Sequence, residues 1–265
     1  MATPLSAYNF DEPSGPFLDY SGNGRTVTLR DPIQRTATSR NGPGAGTRGA
    51  MLAGPGSNVD PAYINTASGS RSMTYWLYAT GQPGVWTARC QVSSNDTGGF
   101  GVYTTGGNTI ARFRRGGSNF NINRPGVPEV GAWHHYAIVY NAATGAGRIL
   151  LDGVLLGTTT LSGGGPLDNT DWLDVSRDGN TTNDLGTPAY IVDDFRYYDV
   201  ALTDAEVIAD MNTPVAAIVP PDENSKALSV VRGGVRVPLE FTQDGAPMAN
   251  WYVVRGGVRV PLLEP

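Results

Sequence analysis

Apolar and polar residues alternate over short segments from Tyr8 to about Val200, and clusters of glycine separate these segments. Residues 73–79 and 133–140 are two clear examples. A period of two is typical of β-strands. Because the strands lie too close together for the long crossovers that parallel strands need, the pattern predicts antiparallel sheets packed face to face.

Local residue patterns predict the turns and a single helix. Paired glycines at 106–107 and 116–117 lie between strand-like runs, as expected of two-residue hairpin turns that need positive φ. Thr203 and Glu206 form a capping box ahead of apolar residues at helical spacing. This pattern predicts a two-turn helix that ends near residue 213.

Composition excludes several classes of protein. The chain has 265 residues with 35 glycines, 40% hydrophobic residues and a formal charge of −5, and it contains no dense Lys/Arg stripe, so we expect no nucleic-acid partner. No apolar run is long enough for membrane insertion. Cys90 is the only cysteine, which excludes an intrachain disulfide and predicts a small buried residue. The first residues lack a basic start and an apolar segment, so we expect no signal peptide and synthesis in a cytoplasm.

Segments spread along the chain resemble those of LamG-like, concanavalin A-like jelly-roll domains. They are two opening segments at residues 8–12 and 19–24, a middle strand and turn at 133–153, a closing strand at 191–198 and a helix at 201–207. The resemblance covers about residues 5–213 and implies an all-β, antiparallel two-sheet jelly-roll sandwich with one short C-terminal helix. We therefore assign residues 1–213 to this domain, with Trp76 and Trp133 expected in its core.

The C-terminal segment is an internal repeat. After a linker-like stretch at 214–227, ten residues at 230–239 recur at 253–262, and each copy predicts a hairpin around a Gly-Gly turn. A lone hairpin is marginal in water, so we expect the two copies to dock on each other, on the jelly roll, on sister chains or on another protein. We expect residues 228–265 to mediate assembly, as a homo-oligomer (a trimer is one candidate) or with other proteins. The residues expected to act in assembly are Arg232, Gly233, Gly234, Arg236, Arg255, Gly256, Gly257 and Arg259.

A LamG-like domain followed by a short repeated tail resembles minor tail proteins of phages that infect actinobacteria. The resemblance implies a virion protein, in the tail rather than the head, with other virion proteins as partners.

The resemblance to LamG-like domains also implies one structural Ca²⁺ where the first and last strands meet, with Asp19, Asn23, Asp193 and Asp194 as candidate ligands. Neighbouring strand residues point to opposite faces, so we expect one of the two adjacent aspartates to ligate. The alternative is that Asp19 forms an Asx-turn and the aspartate pair meets arginines.

The sequence predicts binding rather than catalysis. Glycosidases of this fold carry a Glu-x-Asp-x-Glu arrangement on one strand, which is absent here, so we expect no enzyme activity. His134 and His135 follow Trp133 on a strand and point to opposite faces. The resemblance implies that Trp133 and His135 are part of the framework.

Aromatic and planar polar residues, the types that recognise sugars, cluster in two stretches of the chain. The candidate glycan-binding residues are Trp86, Arg89, Tyr103, Arg112, Arg114, Asn119, Asn121, Trp172, Arg177 and Asp178. Alternatively, they form the solvated face of an antiparallel sheet. Our first hypothesis is a tail-tip protein whose jelly roll binds a host-surface glycan. A head or tail decoration protein without sugar affinity is the second, and a glycan-cleaving enzyme the third.

Overall fold

The computed structural model describes most of the chain up to residue 215 and four strands beyond it. The described residues are 2–12, 16–27, 34–35, 40, 47–48, 50–53, 59–65, 68–81, 86–91, 99–170, 172–175, 190–215, 229–232, 235–238, 252–255 and 258–261. The chain divides into two compact units, residues 1–220 and 221–265.

Strands dominate both units. In chain order they are β1 (Ser6–Tyr8), β2 (Gln34–Arg35), β3 (Thr47–Arg48), β4 (Ala50–Ala53), β5 (Arg71–Ala79), β6 (Trp86–Gln91), β7 (Gly99–Thr105), β8 (Asn108–Arg115), β9 (Ser118–Pro125), β10 (Trp133–Asn141), β11 (Ala146–Leu151), β12 (Val154–Thr160), β13 (Trp172–Val175), β14 (Tyr190–Tyr198), β15 (Ser229–Arg232), β16 (Val235–Pro238), β17 (Tyr252–Arg255) and β18 (Val258–Pro261). A short 3-10 helix spans Pro61–Ile64, and α1 spans Asp204–Met211.

Two antiparallel sheets form the first unit, as the alternation predicted. The larger has eight strands in the order β12-β11-β10-β5-β14-β3-β2, with β1 also paired to β14. The smaller has six strands in the order β4-β13-β6-β7-β8-β9. The predicted glycine turns join β7 to β8 and β8 to β9, and the four glycines have φ between 55° and 78°. These values suit glycine, which has no Cβ to clash at positive φ.

The core between the sheets is rich in aromatic side chains. Alternate residues of the central strands enter it, such as Tyr75 and Leu77 of β5 and Phe100 and Val102 of β7, as expected for sheets that pack face to face. Cys90 lies in it as a small buried residue, as predicted. The aromatic members of the core are Tyr8, Phe10, Phe17, Tyr75, Phe100, Phe113, Tyr136, Tyr140, Tyr190, Phe195 and Tyr197.

Trp76 and Trp133 are not in this core, so that expectation was wrong. Tyr75 and Leu77 point inward from β5, and the alternation therefore turns Trp76 to the opposite face. Trp133 stands directly opposite Tyr78, on that same outer face. Both tryptophans are half-buried.

Helix α1 covers part of the outer face of the eight-stranded sheet. The predicted capping box is present, since Thr203 accepts from the Glu206 amide while the Glu206 carboxylate accepts from the Thr203 amide. Val207 packs on a second apolar cluster that includes Val139 and Leu150. No helix in the described residues is long and apolar enough to cross a membrane.

The second unit contains two separate hairpins, β15–β16 and β17–β18, each a two-stranded antiparallel sheet. Val230 pairs with Val237 and Arg232 with Val235, in the predicted register. The second copy repeats it, with Val253 opposite Val260. The turn residues Gly233, Gly234, Gly256 and Gly257 lie outside the described residues.

Candidate functional site

The outer face of the six-stranded sheet gathers most of the predicted glycan-binding residues. On β8, Ala111 and Phe113 enter the core, so Arg112 and Arg114 point the other way. The register places Asn121 of β9 directly opposite Arg112 and Asn119 opposite Arg114. The structure thus brings the two arginines and the two asparagines to one face of the smaller sheet.

Arg112 is held at the middle of this face by neutral planar groups. Its Nη2 donates to the Tyr103 hydroxyl at 2.6 Å, and its Nε donates to the Asn121 Oδ1 at 3.3 Å. The guanidinium carbon lies 4.6 Å from the centre of the Tyr103 ring. A phenol, a guanidinium and an amide thus lie side by side and partly exposed, an arrangement that can meet both the apolar faces and the hydroxyls of a sugar.

Arg114 forms a second polar group towards the β8–β9 turn. Its Nη1 donates to the Asn119 Oδ1 at 3.3 Å, and its Nε lies 3.3 Å from the Asp168 Oδ2. Asp168 also accepts from the amides of Gly116 and Gly117 at 2.6 and 3.0 Å. The carboxylate therefore fixes both the turn and the arginine beside it.

Arg89 lies on the same face but is buried. Its Nε pairs with the Asp174 Oδ1 at 2.9 Å, and both side chains are 2% exposed. Gly101 leaves room for this pair, because a Cβ there would lie 2.7 Å from the Arg89 Cα and closer still to the Ala88 carbonyl oxygen. Arg89 is therefore held in a buried ion pair within the smaller sheet.

The remaining candidates are placed only in part. Trp86 begins β6 opposite Tyr103, and Trp172 begins β13 opposite Gln91. Arg177 and Asp178 lie outside the described residues. The role of all ten residues in glycan binding stays a prediction.

The candidate calcium ligands are engaged with the protein's own donors. Asp19 Oδ1 accepts from the amides of Ala7 and Ser21, and Oδ2 accepts from the Ser21 hydroxyl and the Arg25 amide. The bond to Ser21 is the Asx-turn of the alternative interpretation. Asn23 turns its amide nitrogen, which cannot bind a cation, towards the Pro4 and Leu5 carbonyls.

The two adjacent aspartates, Asp193 and Asp194, both lie close to Arg40 instead of pointing to opposite faces of the sheet. One extra residue in β14 makes a bulge, where Asp194 has φ 47°, so strand alternation fails there. Asp193 accepts from the Arg40 amide at 2.9 Å, and the Asp194 carboxylate lies 3.9 Å from the Arg40 Nη1. Burial raises the pKa of Asp193 to about 7, and burial also raises the pKa of Asp194.

The described residues give the predicted calcium site no support. They contain no group of three or more acidic, histidine or cysteine side chains placed to hold a metal. Calcium binding stays a prediction, and a shift of the melting temperature at millimolar calcium tests it.

Two contacts on the outer face of the eight-stranded sheet were not predicted from the sequence. Trp133 and Tyr78 form an aromatic pair with ring centres 5.4 Å apart, and Arg40 stacks at 3.5 Å on Trp76. The alternation of β5 could have revealed both, because Tyr75 and Leu77 are the better core candidates.

A buried polar cluster beneath α1 was also not predicted. Arg196 Nη1 lies 3.3 Å from the Asp210 Oδ1, the Tyr198 hydroxyl donates to the same carboxylate, and His135 Nε2 lies 3.8 Å from Oδ2. Burial acts to raise the pKa of Asp210, but His135 and the Arg196 charge together lower it below its ordinary value. His135 belongs to the framework, as predicted.

Sequence comparison agrees with this architecture. Residues 53–208 match the family described as the concanavalin A-like lectin/glucanases superfamily, and they make up more than half of the chain. The chain belongs to this superfamily. No curated protein sequence matches it.

Solved structures with a similar fold include the receptor-binding regions of clostridial toxins. This superfamily member resembles the binding domain of Paraclostridial Mosquitocidal Protein 1 with a TM-score of 0.58 and 15% identity, over 79% of this chain and 52% of that one. For the receptor-binding domain of botulinum neurotoxin type G, the TM-score is 0.54 and the identity 14%, over 78% and 50% of the chains.

The binding domain of botulinum neurotoxin DC in complex with SialylT gives a TM-score of 0.54 and 14% identity, over 79% of this chain and 51% of that one. The chain thus spans about half the length of the solved chains that it matches. At these identities the likeness shows the fold alone. The sequence comparison therefore confirms the predicted superfamily, and the structural comparison agrees with the predicted jelly-roll fold.

Proposed function

We propose that the jelly roll binds a host-surface glycan and catalyses no reaction. The observation that carries this proposal is the partly exposed group of Tyr103, Arg112 and Asn121 on the outer face of the smaller sheet. Sugar rings stack on aromatic faces and accept hydrogen bonds from planar donors that are already held in position. Membership of a lectin-like superfamily and a structural neighbour in complex with SialylT support the same class of ligand.

A glycan array probed with the full-length chain tests this proposal. We expect binding to a defined set of glycans and a loss of about tenfold in affinity for Arg112→Met and for Tyr103→Ala. Arg124→Met is the matched control, because Arg124 is also exposed on this pair of strands but stands opposite Thr109, out of register with Arg112. If neither test substitution lowers the affinity, this face is not the glycan-binding site.

The decoration protein without sugar affinity is the competing interpretation. The contacts of Arg112 and Arg114 with Tyr103, Asn119 and Asn121 are favourable without any ligand, as on a solvated sheet face. Absence of binding to the array and to intact host envelopes would favour it over glycan recognition.

We further propose that the protein is a minor component of a phage tail, attached to the particle through its C-terminal repeats. The support is the resemblance of the domain order to such proteins and the pair of two-stranded hairpins, which are marginal on their own in water. The test is to delete residues 222–265 and measure incorporation into particles. Normal incorporation of the shortened chain would exclude the repeats as the attachment device.

A further inference from the structure

Among the described residues of the first unit, three arginines are almost completely buried. Arg71, Arg89 and Arg196 are each 1% exposed. Two of them have a carboxylate partner, since Arg89 pairs with Asp174 at 2.9 Å and Arg196 with Asp210 at 3.3 Å. In both cases, a carboxylate of the protein neutralises the buried guanidinium.

Arg71 differs from the other two. Its Nε and Nη1 atoms are buried and have no hydrogen-bond partner among the described residues. It shares the inward face of β5 with Met73 and Tyr75, so its side chain enters the space between the sheets.

The described titratable groups on which the Arg71 charge acts are neutral. Its charge acts on the Cys90 thiol and the Tyr197 hydroxyl, yet burial raises the pKa of Cys90 to about 12 and the pKa of Tyr197 well above its ordinary value. Neither group is an anion near pH 7. Asp174, which also acts on Cys90, is already the partner of Arg89.

A buried guanidinium without a counter-charge is very costly. Arginine cannot lose its proton in a protein, so it cannot escape the cost by becoming neutral as a lysine can. A water molecule would satisfy a donor but would leave the charge uncompensated. Compensation requires an anion, and the closed space between two packed sheets admits only a small one.

We propose that Arg71 binds a small monovalent anion, such as chloride, inside the sandwich. The ion accepts hydrogen bonds from the guanidinium Nε and Nη1 atoms and supplies the charge that Asp174 and Asp210 supply elsewhere. It is a structural site, distinct from the outer face proposed for glycans.

The first test is unfolding of the full chain by urea in chloride from about 1 to about 100 mM, with gluconate holding the ionic strength constant. For one bound anion, the folding equilibrium constant rises with chloride and approaches a tenfold gain per tenfold increase in concentration. Arg71→Met loses this dependence, whereas Arg124→Met, at an exposed arginine, retains it. An equal response of Arg71→Met and the unsubstituted chain, or no response in either, would overturn the site.

A second measurement uses the unsubstituted chain and decides the matter even if Arg71→Met does not fold. Crystals grown in sodium bromide are expected to show an anomalous peak within hydrogen-bond distance of the Arg71 guanidinium. Ordered water without anomalous signal at that position, or a shifted Arg71 with a protein acceptor, would show that no anion is bound.

Discussion

At the scale of single residues, the stability of the fold depends on how buried charges are compensated. Asp193 is buried with its neighbour Asp194, and each accepts a backbone amide hydrogen bond. Those bonds and the nearby Arg40 favour the ionised forms, but burial is the larger effect for both and raises their pKa values. The β14 bulge that holds this pair is thus a source of pH sensitivity.

We predict that the chain loses stability between about pH 5 and pH 7. The pKa of Asp193 rises from 3.8 to about 7 on folding, so in this range the folded chain holds a proton that the unfolded chain has released. The stability that this bound proton contributes is fully present below about pH 4 and is lost as pH rises, with a slope of up to about 1.4 kcal/mol per pH unit. Asp194 acts in the same direction, while the lowered pKa values of Glu206 and Asp210 act below this range. Urea unfolding as a function of pH measures the slope.

The substitution Asp193→Asn tests whether Asp193 is the group that binds this proton. We expect this substitution to flatten the profile above pH 5, whereas Asp199→Asn, on the chain just after β14, leaves the slope unchanged. A steep slope that persists in Asp193→Asn would assign the proton to another group.

Gly101→Ala is predicted to destabilise the smaller sheet by about 1–3 kcal/mol, since overpacking forces the backbone to move. The new Cβ would overlap the backbone of the neighbouring strand at Ala88 and Arg89. Gly81→Ala is the control, because its Cβ would meet nothing within 4 Å. Thermal unfolding of both variants measures the difference, and an unchanged melting temperature for Gly101→Ala would contradict the geometry.

At the scale of elements, α1 is fixed to the large sheet by apolar packing and by the Asp210 cluster. Asp210→Ala is expected to cost about 3–5 kcal/mol, because it leaves the Arg196 charge buried without its carboxylate. Asp204→Ala, which removes a carboxylate 54% exposed in its pair with Arg148, should cost about 1 kcal/mol or less. Urea unfolding compares the two variants, and equal costs would show that the buried cluster does not stabilise the helix.

Elements determined by neighbouring residues were predictable from the sequence. The Gly-Gly turns, the Thr203–Glu206 capping box and the register of the first repeat hairpin all depend on a few adjacent positions. The shared face of Arg112 and Arg114 followed from strand alternation in the same way.

Features that depend on distant residues were not predictable. Asp174 lies 85 positions from Arg89, so nothing local indicated that Arg89 would be buried in an ion pair. The bulge at Asp194 exists only because β14 pairs with β5, and it cancels the alternation that placed the two aspartates on opposite faces. The exposure of Trp76 and Trp133 also depends on which face of β5 meets the smaller sheet.

At the scale of the whole molecule, the two units differ in how they can be stable. The large apolar core of the described residues lies within residues 1–220, whereas the described part of the second unit contains two small sheets of two strands each. Isolated two-stranded hairpins are marginal in water, so we expect the repeats to gain stability by packing on a surface. Copies of the same chain offer one such surface, and hairpin edges can extend one another's hydrogen bonding.

We therefore predict that the full chain forms a homo-oligomer and that a chain ending at residue 220 is a monomer. Analytical ultracentrifugation over a range of concentrations measures both, and the melting temperature of the shortened chain should stay close to that of the jelly roll in the full chain. This second measurement matters, because loss of assembly through misfolding would lower it. An oligomer that persists after removal of the repeats would place the contact on the jelly roll. A monomeric full chain would instead mean that the repeats require a different protein.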